Sequence, residues 1–155
     1  ELKKITKKNK VLIYGNGAGQ SIADHFAVDL NKVCKINTLS FQSSNYISCY
    51  ANDYGFEKWI CKSIEKNYRA GDKIILISAS GNSKNIINAA KYCKSKKIKL
   101  ITISGFKRKN KLKKMGSINL WFETDSFNVI ESLQHYFLMM LVDLCKGNIF
   151  YSNKV

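Results

Sequence analysis

A chain of 155 residues, 45% of them hydrophobic, suits one domain with one packed core and argues against a disordered chain. No run approaches the roughly 18 to 20 apolar residues that cross a bilayer, and no signal-type apolar stretch follows the basic first ten residues, so the expected location is the cytosol. The net charge of +15, from 26 basic and 11 acidic residues, raises nucleic acid as a partner, but Arg69 and Arg108 are the only arginines and lysine cannot imitate their base-reading forks. For the densest basic stretch, Lys91 to Lys114, a solvated surface ranks first, attraction of anionic ligands second and nucleic acid third.

The first apolar run, 10–15 (KVLIYG), ends in glycine and predicts a buried strand. Residues 19–33 carry Ile22, Phe26, Val28, Leu30 and Val33 and predict a helix. A shorter second strand is predicted over 36–40. The stretch 43–55 reads as a long polar connection with room for a helical turn. Residues 56–68 place Trp59, Ile60, Ile64 and Tyr68 at helical spacing. A turn at Arg69-Ala70-Gly71-Asp72 leads into 73–78 (KIILIS), a continuous apolar run expected of a strand covered on both faces. Residues 79–83 (ASGNS) turn into a helix with Ile86, Ile87, Ala90 and Cys93 on one side. Further strands are predicted over 98–104 and 117–123, separated by a lysine-rich loop, and a last helix from about 126 to about 146.

Strands alternating with helices imply an α/β fold. The expected architecture is a single doubly wound, five-stranded parallel sheet in the flavodoxin-like order 2-1-3-4-5, with ligands beyond the carboxyl ends of the strands. There is no proline, so turns rely on Gly, Asn, Asp and Ser. Cys34, Cys49, Cys61, Cys93 and Cys145 are spread out with no CxxC pair, which argues for reduced thiols rather than a disulfide framework or a zinc knuckle.

Two loops at strand ends carry chemistry. The first is Gly15-Asn16-Gly17-Ala18-Gly19-Gln20. A dinucleotide fingerprint fails here, because Gln20 fills the sixth position and the second strand ends in Leu39-Ser40 with no acid for a ribose hydroxyl. The alternative is a glycine turn that lets a small ligand reach backbone N–H groups at a helix start. The other loop is Ser78-Ala79-Ser80-Gly81-Asn82-Ser83. Its hydroxyls and a helix N-terminus suit a phosphate monoester, and the GK[ST] ending of a Walker loop is absent. The simpler reading is an N-cap by Ser83 or Asn82, which one residue would satisfy where three serines stand.

In order, GNGAGQSIADHFAVDL, YANDYGFE, GDKIILISASGNSKNIINAA and a closing I-E-x-x-x-H helix resemble the phosphoheptose isomerase branch of the sugar isomerase (SIS) family, from about Val11 to about Lys146. The resemblance implies a single SIS domain over 1–155, with 1–9 as a basic N-terminal segment and 147–155 as a C-terminal tail. It implies a cytoplasmic homo-oligomer, tetramer or dimer, with a phosphorylated sugar as partner and neither membrane nor nucleic acid. The implied reaction is aldose–ketose isomerisation of the sedoheptulose 7-phosphate type, feeding surface polysaccharide such as lipopolysaccharide. By the same resemblance Ser78, Ser80 and Ser83 bind phosphate, with Ala79 supplying backbone, and Asn16, Gly17, Ala18, Asn52 and Asp53 line the sugar. Gly19 stands where the family usually has serine, and the helical pair that opens family chains is missing or shortened.

The family's zinc ion and acid–base pair fall on altered positions. His25 and Asp29 match its His-x-x-x-Glu, the acid being one methylene shorter. Glu131 and Met139 stand where it has a glutamine and, two turns later, a histidine. A thioether is a poor zinc ligand and moves no proton. The implied metal set, His25, Asp29 and Glu131, is therefore incomplete, and weak or absent zinc binding is expected. His135, one turn after Glu131 on the same face, offers a substitute acid–base pair, with Asp29 as a further candidate base. Equally, His135 is a half-buried polar residue at a subunit contact. As catalysts, Glu131 and His135 should both face the loop Ser78 to Ser83 in the assembled oligomer, the last helix reaching it from its own subunit or from a neighbour. Two functions stand side by side: an isomerase, favoured by the ANDYG and SASGNS loops, and a non-catalytic SIS binding or assembly module, such as a regulator binding a replication initiator, favoured by Met139.

Overall fold

The computed structural model describes residues 1–6, 8–106 and 109–148. Its five strands, β1 (Val11–Tyr14), β2 (Thr38–Ser40), β3 (Lys73–Ser78), β4 (Leu100–Gly105) and β5 (Ile118–Phe122), pair in parallel in the order β2-β1-β3-β4-β5. This is the order expected from the alternation of apolar runs and helical patterns. The helices are α1 (Ala18–Lys32), α2 (Ser44–Tyr54), α3 (Trp59–Asn67), α4 (Lys84–Ser95) and α5 (Phe127–Lys146). Among the described residues no helix is long and apolar enough to cross a membrane. From residue 149 onward the C-terminal tail lies outside the described residues, as do Lys107 and Arg108 of the basic loop.

The central strands β1 and β3 are almost wholly apolar because both of their faces are covered, whereas the edge strand β5 has no fully buried residue. Successive side chains alternate between faces. Val11, Ile13, Ile75, Ile77 and Ile103 point to one side and pack with Phe26 and Leu30 of α1 and Leu138 and Val142 of α5. Leu12, Tyr14, Ile74, Leu76 and Leu100 point to the other and pack with Trp59, Ile60 and Ile64 of α3 and Ile86 and Ala90 of α4. All five cysteines are free. Burial pushes the Cys93 thiol up to about 12, so it behaves as a small apolar side chain.

Several boundaries differ from the sequence reading: β2 begins at Thr38 rather than 36, and β4 at Leu100 rather than 98. The segment 43–55 holds three turns of helix, not one, and α3 begins three residues later than expected, at Trp59. α2 escaped notice because it has no buried residue. It is held along one side by an aromatic ladder: Phe41 stacks on Tyr14 at 4.9 Å, and Tyr46, Tyr50 and Tyr54 follow at 5.1, 4.4 and 5.6 Å. Such pairs add to plain area burial.

The start of β1 and the turn before β3 are fastened by one buried carboxylate. Asp72 accepts the Lys10 N–H at 2.9 Å, the Lys10 ammonium at 2.8 Å and the Arg69 N–H at 2.9 Å. Its side chain is fully buried, while the Lys10 side chain is 18% exposed. Removing one partner of such a pair leaves the other charge uncompensated. Asp72→Ala is therefore expected to lower unfolding free energy by about 3 kcal/mol, read as an earlier midpoint in urea denaturation. Lys10→Met should also lower that free energy, because the fully buried carboxylate is then left with only the Lys10 and Arg69 N–H groups.

Candidate functional site

α1 begins almost on top of β1. A Cβ at Gly15 would lie 2.4 Å from the Gly19 carbonyl, so only glycine fits between strand and helix. Gln20 then closes the loop: its side-chain oxygen accepts the Gly15 N–H at 3.1 Å, and its amide donates to Asp24 at 2.8 Å. The residue that breaks the dinucleotide fingerprint thus fills the loop from within. Asn16 reaches across the sheet to Asn85 in the first turn of α4, and the two side-chain amides exchange hydrogen bonds, both at 2.9 Å. Asn85 is buried and was not singled out in the sequence. Its one signal is an amide beside the apolar positions of α4.

The serine loop is held from inside and from above. The Ser78 hydroxyl accepts the Gly81 N–H at 3.1 Å and lies 3.3 Å from the Ser83 hydroxyl, while the Ser80 hydroxyl accepts the Asn82 N–H at 3.2 Å. Ser83 occupies the N-cap position of α4 but makes no capping hydrogen bond. The N-cap explanation for this serine therefore does not hold. Gly81 has φ +62°, and a Cβ there would meet the Asn110 side chain at 2.2 Å. Asn110 belongs to the β4–β5 loop, for which the sequence reading ranked a solvated basic surface first. That loop clamps the serine loop: the Leu112 N–H donates to the Gly81 carbonyl at 3.0 Å, the Lys111 N–H to the Asn82 side chain at 3.3 Å, and the Asn110 amide to the Gly105 carbonyl at 2.9 Å.

Both histidines meet on one cavity of about 470 Å³, bordered by Ala18, Ser21, Ile22, His25, Glu131, Ser132 and His135. His25 Nδ1 lies 2.9 Å from His135 Nε2, with the rings edge to face. On the opposite edge of the His25 ring, Nε2 stands 3.6 Å from the Asp29 carboxylate. His135 thus pairs with His25 across the fold rather than with Glu131 alone. No residue of Ser78 to Ser83 lines this cavity; within one subunit Glu131 and His135 border the start of α1. A second cavity of about 400 Å³ is bordered by Asn16, Gly17, Gln42, Ile47 and Phe56, and Ser21 lines both. Asn52 and Asp53 lie exposed on the last turns of α2, bonded to one another at 3.2 Å, and border neither cavity.

The residues do not fit a zinc ion. Zinc in a catalytic site takes three protein ligands in tetrahedral arrangement. Here Asp29 and His135 sit on opposite edges of the His25 ring, so one ion bound to His25 cannot touch both. Met139 packs against the core shared by α1 and α5. Among the described residues no three His, Cys, Asp or Glu side chains form a metal-holding group.

A model of the SIS domain matches residues 2–105. Over 151 residues the chain is 31% identical to the phosphoheptose isomerase of Klebsiella pneumoniae, spanning 89% of this chain and 77% of that protein. It is 33% identical over 118 residues to the phosphoheptose isomerase of Buchnera aphidicola, spanning 73% of this chain and 61% of the relative. Among solved structures, a phosphoheptose isomerase from Neisseria gonorrhoeae has the same fold, with a TM-score of 0.84 at 24% identity over 94% of this chain and 80% of that one.

A serine that caps a helix costs about 1 kcal/mol when replaced by alanine. Because Ser83 makes no such bond, Ser83→Ala should change the free energy of unfolding by less than about 0.5 kcal/mol. Asn85→Ala, which orphans Asn16, should cost more in the same urea titration.

Proposed function

The chain belongs to the SIS-domain family, in its phosphoheptose isomerase branch, and from that premise we propose that it binds a phosphorylated sugar and interconverts its aldose and ketose forms. The observation that carries this reading is the Asn16–Asn85 exchange. It ties the serine loop at the end of β3 to the glycine loop that opens onto the cavity with His25, His135 and Glu131. A phosphate anchor and a group that moves protons must be held at fixed separation for this chemistry. Ser78, Ser80, Ser83 and the Ala79 backbone take the phosphate in this reading, and Asn16, Gly17 and Ala18 take the sugar. Neutral hydroxyls at a helix N-terminus favour a dianion without neutralising it.

The substrate class is of the sedoheptulose 7-phosphate type, the setting is cytoplasmic synthesis of surface polysaccharide, and the working unit is one SIS domain in a homo-oligomer. Support for the oligomer comes from α5, whose outer face carries Val129, Leu133, Tyr136, Met140 and Leu144, all at least 38% exposed and one or two turns apart. Asn52 and Asp53 would reach a sugar only across a contact between copies. A second reading, the non-catalytic binding module, is favoured by Met139, which is half-buried against the core and does not border the cavity.

Ser80→Ala with Ser83→Ala removes two donors that would each be worth roughly 1.5 to 3 kcal/mol against a charged group. Calorimetric affinity for sedoheptulose 7-phosphate is expected to fall at least tenfold, by a conservative use of that range. Unchanged affinity contradicts the phosphate assignment. Binding without turnover of heptose, hexose or pentose phosphates favours the binding module.

A further inference from the structure

Resting on the isomerase reading, we propose that His135 is the proton-transfer base and that Asp29 and His25 position it, with no metal ion in the step. The contacts run in one line. The Asp29 carboxylate stands 3.6 Å from His25 Nε2, and His25 Nδ1 stands 2.9 Å from His135 Nε2. Asp29 is the fixed end, its side chain only 10% exposed against 51% for His25.

Two imidazole nitrogens at hydrogen-bond distance share one proton: one ring donates and the other accepts. A carboxylate beside Nε2 favours the His25 tautomer that carries its proton there. His25 Nδ1 is then a lone pair, and the Nε2–H of His135 fills it. The consequence appears at the far edge of the second ring. His135 Nδ1 is left as a lone pair with no hydrogen-bond partner among the described residues, on the cavity it shares with Ser21 and Glu131. A tautomer set through a second ring does here what a directly bonded carboxylate does in a catalytic triad. Glu131, the substitute partner suggested by helix spacing, keeps a separate place on the cavity wall.

The step balances without any added reagent. His135 Nδ1 takes the proton from the hydroxyl-bearing carbon next to the carbonyl. That C–H electron pair becomes the C=C bond of an enediolate, and the carbonyl π pair moves to its oxygen. The hydroxyl proton passes to that oxygen, Glu131 being the carboxylate in the same cavity able to carry it. His135 then returns its proton to the former carbonyl carbon, and the second oxygen closes the new carbonyl. In between, the positive charge on His135 is shared through His25 toward Asp29.

Three readouts on the full chain test this. In nitrogen-15 spectra of the histidine rings, both neutral rings should carry the proton on Nε2, and Asp29→Asn should mix the tautomers of His135. In the sedoheptulose 7-phosphate assay, His135→Gln should lower kcat about 100-fold or more with KM within about threefold, since only the chemical step is touched. Asp29→Asn should lower kcat less, and wild type should keep its rate after exhaustive chelation and carry no stoichiometric zinc. A proton on His135 Nδ1, full kcat in His135→Gln, or a chelated enzyme revived only by zinc overturns the relay while leaving the isomerase reading standing. No turnover of any phosphosugar by wild type overturns both. If His135→Gln does not fold, the wild-type spectra and zinc content decide.

Discussion

At Gly15 the backbone of β1 passes so close to the first turn of α1 that a Cβ would strike the Gly19 carbonyl at 2.4 Å. The helix can therefore start directly over the carboxyl end of the sheet, where a parallel α/β fold leaves its open crevice. Everything polar in the site is counted along α1 from that point. Gln20 turns back to close the loop, Ser21 reaches the wall between the two cavities, and His25 and Asp29 follow on the strip that meets α5. Below them Phe26 and Leu30 share a core with Leu138 and Val142, which fixes α5 against α1 and brings His135 to His25.

The loops themselves are shaped by hydrogen bonds rather than apolar packing. The Asn16–Asn85 exchange joins two strand ends, and Asn110 fills the space that a side chain at Gly81 would need. A site held this way is arranged before any ligand arrives, which is what electrostatic stabilisation of a reacting sugar requires. The net charge of +15 adds a long-range pull on anions that salt weakens, whereas the serine hydroxyls act only at contact.

The fold was largely legible because its signals are local. KIILIS is apolar at every position a doubly covered strand needs, and β3 occupies those residues with the expected bounds. α2 was not legible: Tyr46, Tyr50 and Tyr54 are at helical spacing, but the surrounding residues are polar and none is buried. The family resemblance brought His25, Asp29 and Glu131 forward and exposed the loss at Met139, and helix spacing added His135. What spacing could not give was the pairing. His25 and His135 are 110 residues apart, and helix periodicity alone joins His135 to Glu131. Asn85 and Asn110 stayed hidden for the same reason, since Asn85 bonds Asn16 and Asn110 fills the space beside Gly81, both remote in sequence.

On this reading the chain moves a proton on a phosphorylated sugar. Solvent exchange tests it most directly, because it registers proton transfer even where the isomer equilibrium lies far to one side. With sedoheptulose 7-phosphate and the protein in deuterium oxide, one of the two proton signals of C1 should disappear as deuterium is carried in from solvent. Full retention of those signals, under conditions where calorimetry shows the sugar phosphate bound, would contradict the account.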